Sequence, residues 1–343
     1  MKTTKFTAGE RYSRQILFSG VGSEGQQRLL GSHVAVVGVG ATGAAAASLL
    51  ARAGVGRLTL IDRDFVEESN LQRQVLFNES DAREALPKAE AARRRIALFN
   101  SEIEVEAQVA DLVPGNIHAL LEPASLVLDA TDNFETRYLL NEYAVEQSKP
   151  WIYAAAVGAY AVTMNILPGE TACLACIFPE SPTGNVETCD TAGILNTAVN
   201  LAASIEVAEA FKYLTGQPER MRRSLLSVDQ WSNEWSEVKA SRPRPDCSVC
   251  GARDFRALRG EGRAHITLCG RNSVQIHEHA RPVDFAELAE RLRPHGEVRS
   301  NSMLLRFVRG EHTLTVFADG RAIIQGTTDV GLARSLYARF IGS

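Results

Sequence analysis

The sequence predicts an α/β protein with a Rossmann-like, doubly wound, mostly parallel sheet, an antiparallel extension to that sheet, and a small C-terminal α+β domain. Three observations lead there. Short apolar runs alternate with helix-period segments as far as Ala156, the pattern of a parallel sheet covered by helices on both faces. The run "HVAVV" passes directly into "GVGATG", a strand feeding a tight glycine turn and a helix. Further on, "SRPRPDCSVCGARD" combines prolines, charge and a cysteine pair, a composition that breaks domains apart.

Taken in order, "ERYSRQILFSG" and "EGQQRLLG" carry apolar residues at helical spacing before the first strand. "GATGAAAASLLARAG" reads as an alanine-rich helix ended by Gly54, and "RLTLID" as a second buried strand. The alternation continues through the helix "KAEAARRRIALFN", the strand "IEVEAQV", the short helix "NIHALL", the strand "SLVLDA", the helix "FETRYLLNEYAVEQ" and the strand "WIYAAA". Beyond Ala156 come the strand "YAVTMNIL", a cysteine pair, a polar loop and a long helix ending near Leu214, then the antiparallel strands "LLSVDQ" and "EWSEVKA". The tail offers strands in "AHITLC", "SVQIHEH", "LLRFVRG", "HTLTVFAD" and "RAIIQG", with helices in "DFAELAERLR" and "VGLARSLYARFIG".

A length of 343 residues suits about two domains, expected at residues 1–252 and 260–343. Hydrophobic content of 45%, charged content of 23% and a net charge of -4 describe an ordinary globular chain. The acidic balance argues against nonspecific nucleic-acid binding, which needs a basic face. "MKTTKFTAGE" lacks the apolar core of a secretory signal, and Asn196, Asn200, Glu206, Glu209 and Lys212 interrupt the longest apolar stretch. A cytoplasmic protein with no membrane span is therefore expected.

The glycine turn, Gly38, Gly40 and Gly43, permits close approach of a phosphate to the backbone and to a helix N-terminus. Asp62 follows about twenty residues later, where a carboxylate accepts from a ribose diol. That much fits NAD as well as ATP. The stretch "DRDFVEESNLQRQ" then clusters Asn70, Gln72, Arg73 and Gln74, and Lys88 opens the next helix. Fixed cations beside a glycine turn suit a triphosphate better than a nicotinamide ring. In "LDATDN", Asp129 and Asp132 stand at the carboxyl end of a strand, where an aspartate holds Mg2+ against phosphate or caps the following helix.

The stretches "RYSRQ", "GVGATG", "LIDRDFVEESNLQRQ", "PKAE" and "DATDN" resemble the signature segments of the ThiF/MoeB/HesA family, relatives of the ubiquitin-activating enzymes. The resemblance spans about residues 10 to 252. It implies an adenylyltransferase that joins AMP from ATP to the Gly-Gly carboxylate of a ubiquitin-like sulfur carrier. By the same resemblance Gly38, Gly40 and Gly43 line the nucleotide turn, Asp62 takes the ribose, Asn70, Arg73 and Lys88 face phosphates, and Asp132 positions Mg2+. Arg14, in "RYSRQ", matches an arginine that reaches the neighbouring subunit's phosphates, which implies a homodimer with shared active sites.

Cys173 and Cys176 in "CLAC", with Cys247 and Cys250 in "CSVCG", supply four thiolates in two CxxC pairs. That composition suits a closed structural Zn2+ site better than a redox pair. Cys189, in the loop before the long helix, is a candidate nucleophile, as in relatives that form a thioester or acyl-disulfide there. Cys269 reads as incidental, and His277 and His279 as an ordinary strand face. A sulfur donor protein is a further possible partner. Competing readings are adenylation of another carboxylate or a tRNA base, an NAD-dependent oxidoreductase, and a silent adaptor subunit.

Overall fold

The computed structural model describes residues 8–179, 192–261, 266–268, 273–276, 282–300, 303–318 and 320–342. The chain divides into two compact units, Met1–Glu261 and Gly262–Ser343.

In the first unit β1 (His33–Val37), β2 (Arg57–Ile61), β3 (Glu104–Gln108), β4 (Leu126–Asp129) and β5 (Trp151–Val157) are parallel. β6 (Tyr160–Ile166), β7 (Ser224–Asp229) and β8 (Glu234–Lys239) continue the sheet antiparallel. The order across the sheet is β3-β2-β1-β4-β5-β6-β7-β8. The chain steps outward from β1 to β3 and then returns to the other side of β1 as β4. That reversal opens a crevice between the carboxyl ends of β1 and β4, where doubly wound sheets hold ligands.

Alternation along the strands feeds two cores. Val34, Val36, Leu58, Leu60, Leu126 and Leu128 face one layer, and Ala35, Val37, Ile61 and Val127 the other. Each fully buried Val or Leu contributes about 1.5–3 kcal/mol, so the central strands are apolar on both faces. The helix Ala41–Ala53 packs on the first layer against the helix Asn196–Leu214. Its alanines let the two backbones approach, and Gly54 ends it in the left-handed region at φ 82°. The expected run from "HVAVV" to "EWSEVKA" is thus the sheet observed, with short helices at Glu79–Arg83 and Leu174–Ile177 that hydrophobic periodicity is too short to reveal.

The second unit is an all-antiparallel sheet. Its strands β9 (Ile266–Leu268), β10 (Ser273–Ile276), β11 (Glu297–Ser300), β12 (Leu304–Arg309), β13 (His312–Phe317) and β14 (Ala322–Gln325) lie in the order β11-β12-β13-β14-β10-β9. Helices Phe285–Leu292 and Val330–Phe340 cover one face, packing Leu288, Leu292, Ala333 and Phe340 on Val274, Phe307, Leu314 and Ile324. β11 was not expected, because "EVRS" is charged and exposed on an edge. Cys269, His277 and His279 lie outside the described residues.

Candidate active site

The glycine turn is built by exclusion. A Cβ on Gly43 would stand 1.9 Å from the Gly38 carbonyl oxygen, and one on Gly38, whose φ is +84°, would stand 2.8 Å from the Ala130 oxygen. Only hydrogen fits at either place. Gly40 precedes the helix Ala41–Ala53 without a side-chain cap, so the first-turn N–H groups stay available to an anion.

Asp62, at the end of β2, is buried and holds this turn. Its Oδ2 accepts from the Val39 N–H at 2.6 Å and its Oδ1 from the Asp64 N–H at 2.7 Å. Burial raises its pKa; Lys88 opposes the rise and Asp64 adds to it. Lys88 donates to Asp64 Oδ2 at 3.2 Å with its side chain 2% exposed. A bond from the Lys88 N–H to the Asp64 carbonyl at 2.9 Å pins the two segments together.

The segment after Asp62 folds back over the turn. Asn70 is buried and accepts from the Glu67 N–H at 3.1 Å, closing the 3-10 turn Glu68–Asn70. Gln74 is buried with its Nε2 3.8 Å from where a Cβ on Gly40 would stand. Arg73, next to it, donates to the Ser69 carbonyl at 2.9 Å and forms no ion pair among the described residues.

The two aspartates after β4 divide their work. Asp129 is fully buried, accepts from Thr131 N–H at 3.0 Å and Thr131 Oγ1 at 2.7 Å, and pairs with Arg137 Nε at 3.2 Å. Burial pushes its pKa up against the pull of Arg137 and Thr131. It shapes the turn rather than meeting a ligand. Asn133, not Asp132, caps the helix Phe134–Gln147, accepting from the Thr136 N–H at 2.8 Å. Asp132 is exposed and makes no hydrogen bond or ion pair among the described residues.

Arg14 is elsewhere. Its helix Ser13–Ile16 is anchored by Gln15 Nε2 to the Ala53 carbonyl at 2.9 Å, the far end of the helix Ala41–Ala53 from the glycine turn, roughly 20 Å away. The side chain is exposed, as are Leu17 and Phe18 beside it. Cys189 lies outside the described residues.

The sulfurs of Cys173, Cys176, Cys247 and Cys250 all fall within 4.8 Å of one another. Individual separations are 3.8, 3.6 and 3.4 Å for the pairs 173–176, 173–247 and 176–250. A tetrahedral zinc with Zn–S near 2.3 Å needs about 3.8 Å between sulfurs, so the donor set fits that ion. The Arg244 N–H points to Cys176 Sγ at 3.4 Å, the outer-shell bond usual for metal thiolates.

Asp64, Arg137 and the Arg63–Asp111 pair escaped sequence reasoning. Only the "DRD" around Arg63 hinted at a charge network, and nothing in the spacing announces Arg137 against Asp129.

An α/β crevice with an uncapped helix N-terminus and a buried lysine defines a nucleotide-dependent class of enzyme. Residues 12–249 match the ThiF family. The chain is 44% identical over 336 residues, 97% of its own length and 99% of the relative's, to the sulfur carrier protein ThiS adenylyltransferase of Bacillus subtilis. It is 39% identical over 243 residues, 71% of this chain and 88% of the relative, to the SAMP-activating enzyme E1 of Haloferax volcanii. Among solved structures, E. coli MccB with ATP matches at a TM-score of 0.61 and 27% identity, over 70% of this chain and 74% of that one. The chain belongs to the ThiF family and is an adenylyltransferase. Among the described residues no helix is long and apolar enough to cross a membrane.

Proposed function

We propose that this chain adenylates the C-terminal Gly-Gly carboxylate of a ubiquitin-like sulfur carrier, and that a ThiS-like carrier is its substrate. The observation that carries the reading is the uncapped glycine turn tied through Asp62 and Asp64 to buried Lys88, in a chain that matches 99% of the length of a ThiS adenylyltransferase.

In this reading ATP lies with its phosphates on the Gly38–Gly40–Gly43 turn and its ribose on Asp62. Asn70, Arg73 and Lys88 face the phosphates. A carboxylate oxygen of the carrier bonds to the α-phosphorus, the bond from that phosphorus to the bridging oxygen breaks, and pyrophosphate leaves. The carboxylate is already ionised at neutral pH, so no proton has to move, and positioning with charge neutralisation dominates. Mg2+ would supply further neutralisation between phosphate oxygens, with Asp132 as its protein ligand. Zn2+ would be structural, since four thiolates leave no open position. Cys189 is assigned a later acyl transfer, for which a sulfur donor protein would be the partner.

Two surface features support the partners. Arg14, remote from its own turn and flanked by exposed Leu17 and Phe18, fits a homodimer in which it completes the other copy's site. Tyr160, Trp231, Trp235 and Val238 expose apolar surface on the antiparallel edge. Trp231 shares a shallow cavity of about 270 Å³ with Gly158 and Leu195. Adjacent Asn196 donates to the Gln72 carbonyl at 3.2 Å, next to Arg73. The apolar face thus runs up to the segment that carries Arg73, and the body of the carrier would rest there while its tail enters.

ATP–pyrophosphate exchange tests the reading. Exchange is expected only when a Gly-Gly-ending carrier is added. No exchange with any such carrier, alongside ATP cleavage stimulated by a small acid or a tRNA, would overturn it.

A further inference from the structure

Arg63 is flanked in sequence by two carboxylates, yet its side chain turns to a third. Its Nη1 donates to Asp111 Oδ1 at 3.1 Å, and the two side chains are only 14% and 11% exposed. The pair joins the segment leaving β2 to the segment leaving β3. Burial works against the guanidinium charge, but Asp111, Asp64, Asp132 and Asp62 outweigh it and hold the pKa above the usual arginine range. Asp132 follows β4, which lies on the other side of β1 from β2 and β3. Asp62, the residue before Arg63, bonds to the Val39 amide of the glycine turn, so Arg63 leaves β2 beside the crevice.

The place has a chemical meaning once a nucleotide is oriented there, an orientation that rests on the adenylation reading. Phosphates belong at the uncapped helix end after β1, and the ribose at Asp62 after β2. The base, continuing in the same direction, arrives at the end of β3, where Arg63 meets Asp111. We infer that Arg63, clamped by Asp111, is a base-binding residue: its guanidinium plane is the surface on which the purine ring stacks. Guanidinium is planar and weakly hydrated, and it stacks on π faces where the compact, strongly hydrated ammonium of lysine does not. The carboxylate of Asp111 holds the guanidinium through its Nη1 edge. Leu112, buried next to Asp111, backs the same turn.

Calorimetric titration of the full chain with ATP, AMP and inorganic tripolyphosphate tests this. Arg63→Lys keeps the charge and removes the plane. It is expected to weaken ATP and AMP by roughly tenfold and to leave tripolyphosphate, which has no base, unchanged. Asp111→Asn, which loosens the clamp, should weaken the two nucleotides by a smaller factor with the same indifference to tripolyphosphate. Nucleotide binding unchanged in Arg63→Lys overturns the inference, because charge alone then suffices. So does an equal loss for all three ligands in both variants, which marks a general role in the crevice. Wild-type protein that binds no ATP overturns the adenylation reading itself, whereas wild-type binding with unaffected variants overturns the base assignment alone.

Discussion

Lys88 Nζ and Asp64 Oδ2 lie 3.2 Å apart, with the lysine side chain 2% exposed and the aspartate 15%. The ammonium is therefore desolvated and in place before any triphosphate arrives, and it has only to turn from one anion to another. Such preorganised charge is worth most in the transition state. Lys88→Met should lower carrier-dependent pyrophosphate exchange by roughly a hundredfold to a thousandfold at saturating ATP. A loss below about threefold in initial rates would remove Lys88 from the reaction.

Arg14 gives a test of sharing between subunits. Arg14→Ala and Lys88→Ala chains should each be inactive alone. Mixed one to one with exchange of subunits, half of the dimers carry both changes and one intact site, so about one quarter of wild-type activity should return. No recovery, with mixed dimers shown by mass spectrometry, would place Arg14 outside the other subunit's site.

For the four cysteines we expect one zinc per chain by elemental analysis. The ion closes a chain loop between residues 74 apart in sequence, and releasing a loop of that size removes about 4 kcal/mol by chain-entropy arguments. Stripping the metal with a chelator, or Cys247→Ser, should lower the melting temperature of the first unit by several degrees. Zinc-free protein that melts like the purified form would show that the sulfurs are held by packing alone.

Glu206 is fully buried on the helix Asn196–Leu214, and neither carboxylate oxygen has a hydrogen-bond partner among the described residues. Burial, then the nearby Asp129, pushes its pKa well above the ordinary range. The folded state thus keeps a proton that the unfolded chain gives up. Stability falls as pH rises from the unfolded pKa toward the folded one, by about 1.4 kcal/mol per unit. Glu206→Gln abolishes that slope, so its thermal advantage over wild type should grow between pH 5 and pH 7 and vanish below pH 4. A pH-independent difference would mean that the carboxyl is not the titrating group.

The exposed tryptophans separate carrier docking from nucleotide chemistry. Trp235→Ala should raise the carrier concentration needed for half-maximal exchange by roughly tenfold while ATP affinity stays the same. Equal carrier dependence in wild type and variant would move the docking face elsewhere.

The sequence made the parallel sheet legible because its central strands are apolar on both faces and its helices keep their period. The glycine turn, Asp62, Lys88 and the two cysteine pairs were legible for another reason: each has a fixed spacing tied to a chemistry. Less visible were pairings between distant segments. Arg63 reaches Asp111 across a gap that no periodicity encodes, and Asp129 and Asp132 share one motif but differ in burial, which only packing decides. Nor did the spacing announce that the Asn70 side-chain oxygen closes a 3-10 turn. That local bond is the kind of competing backbone contact that short polar side chains offer.

Asp62 already holds the Val39 and Asp64 amides, one with each oxygen. In the proposed binding mode the ribose side of the crevice is thereby set before binding, whereas Lys88 would exchange Asp64 for a phosphate. Entry of the nucleotide would then have a direction in time: the nucleoside would meet a rigid edge first, and the phosphates would settle at the rate at which one buried ion pair lets go.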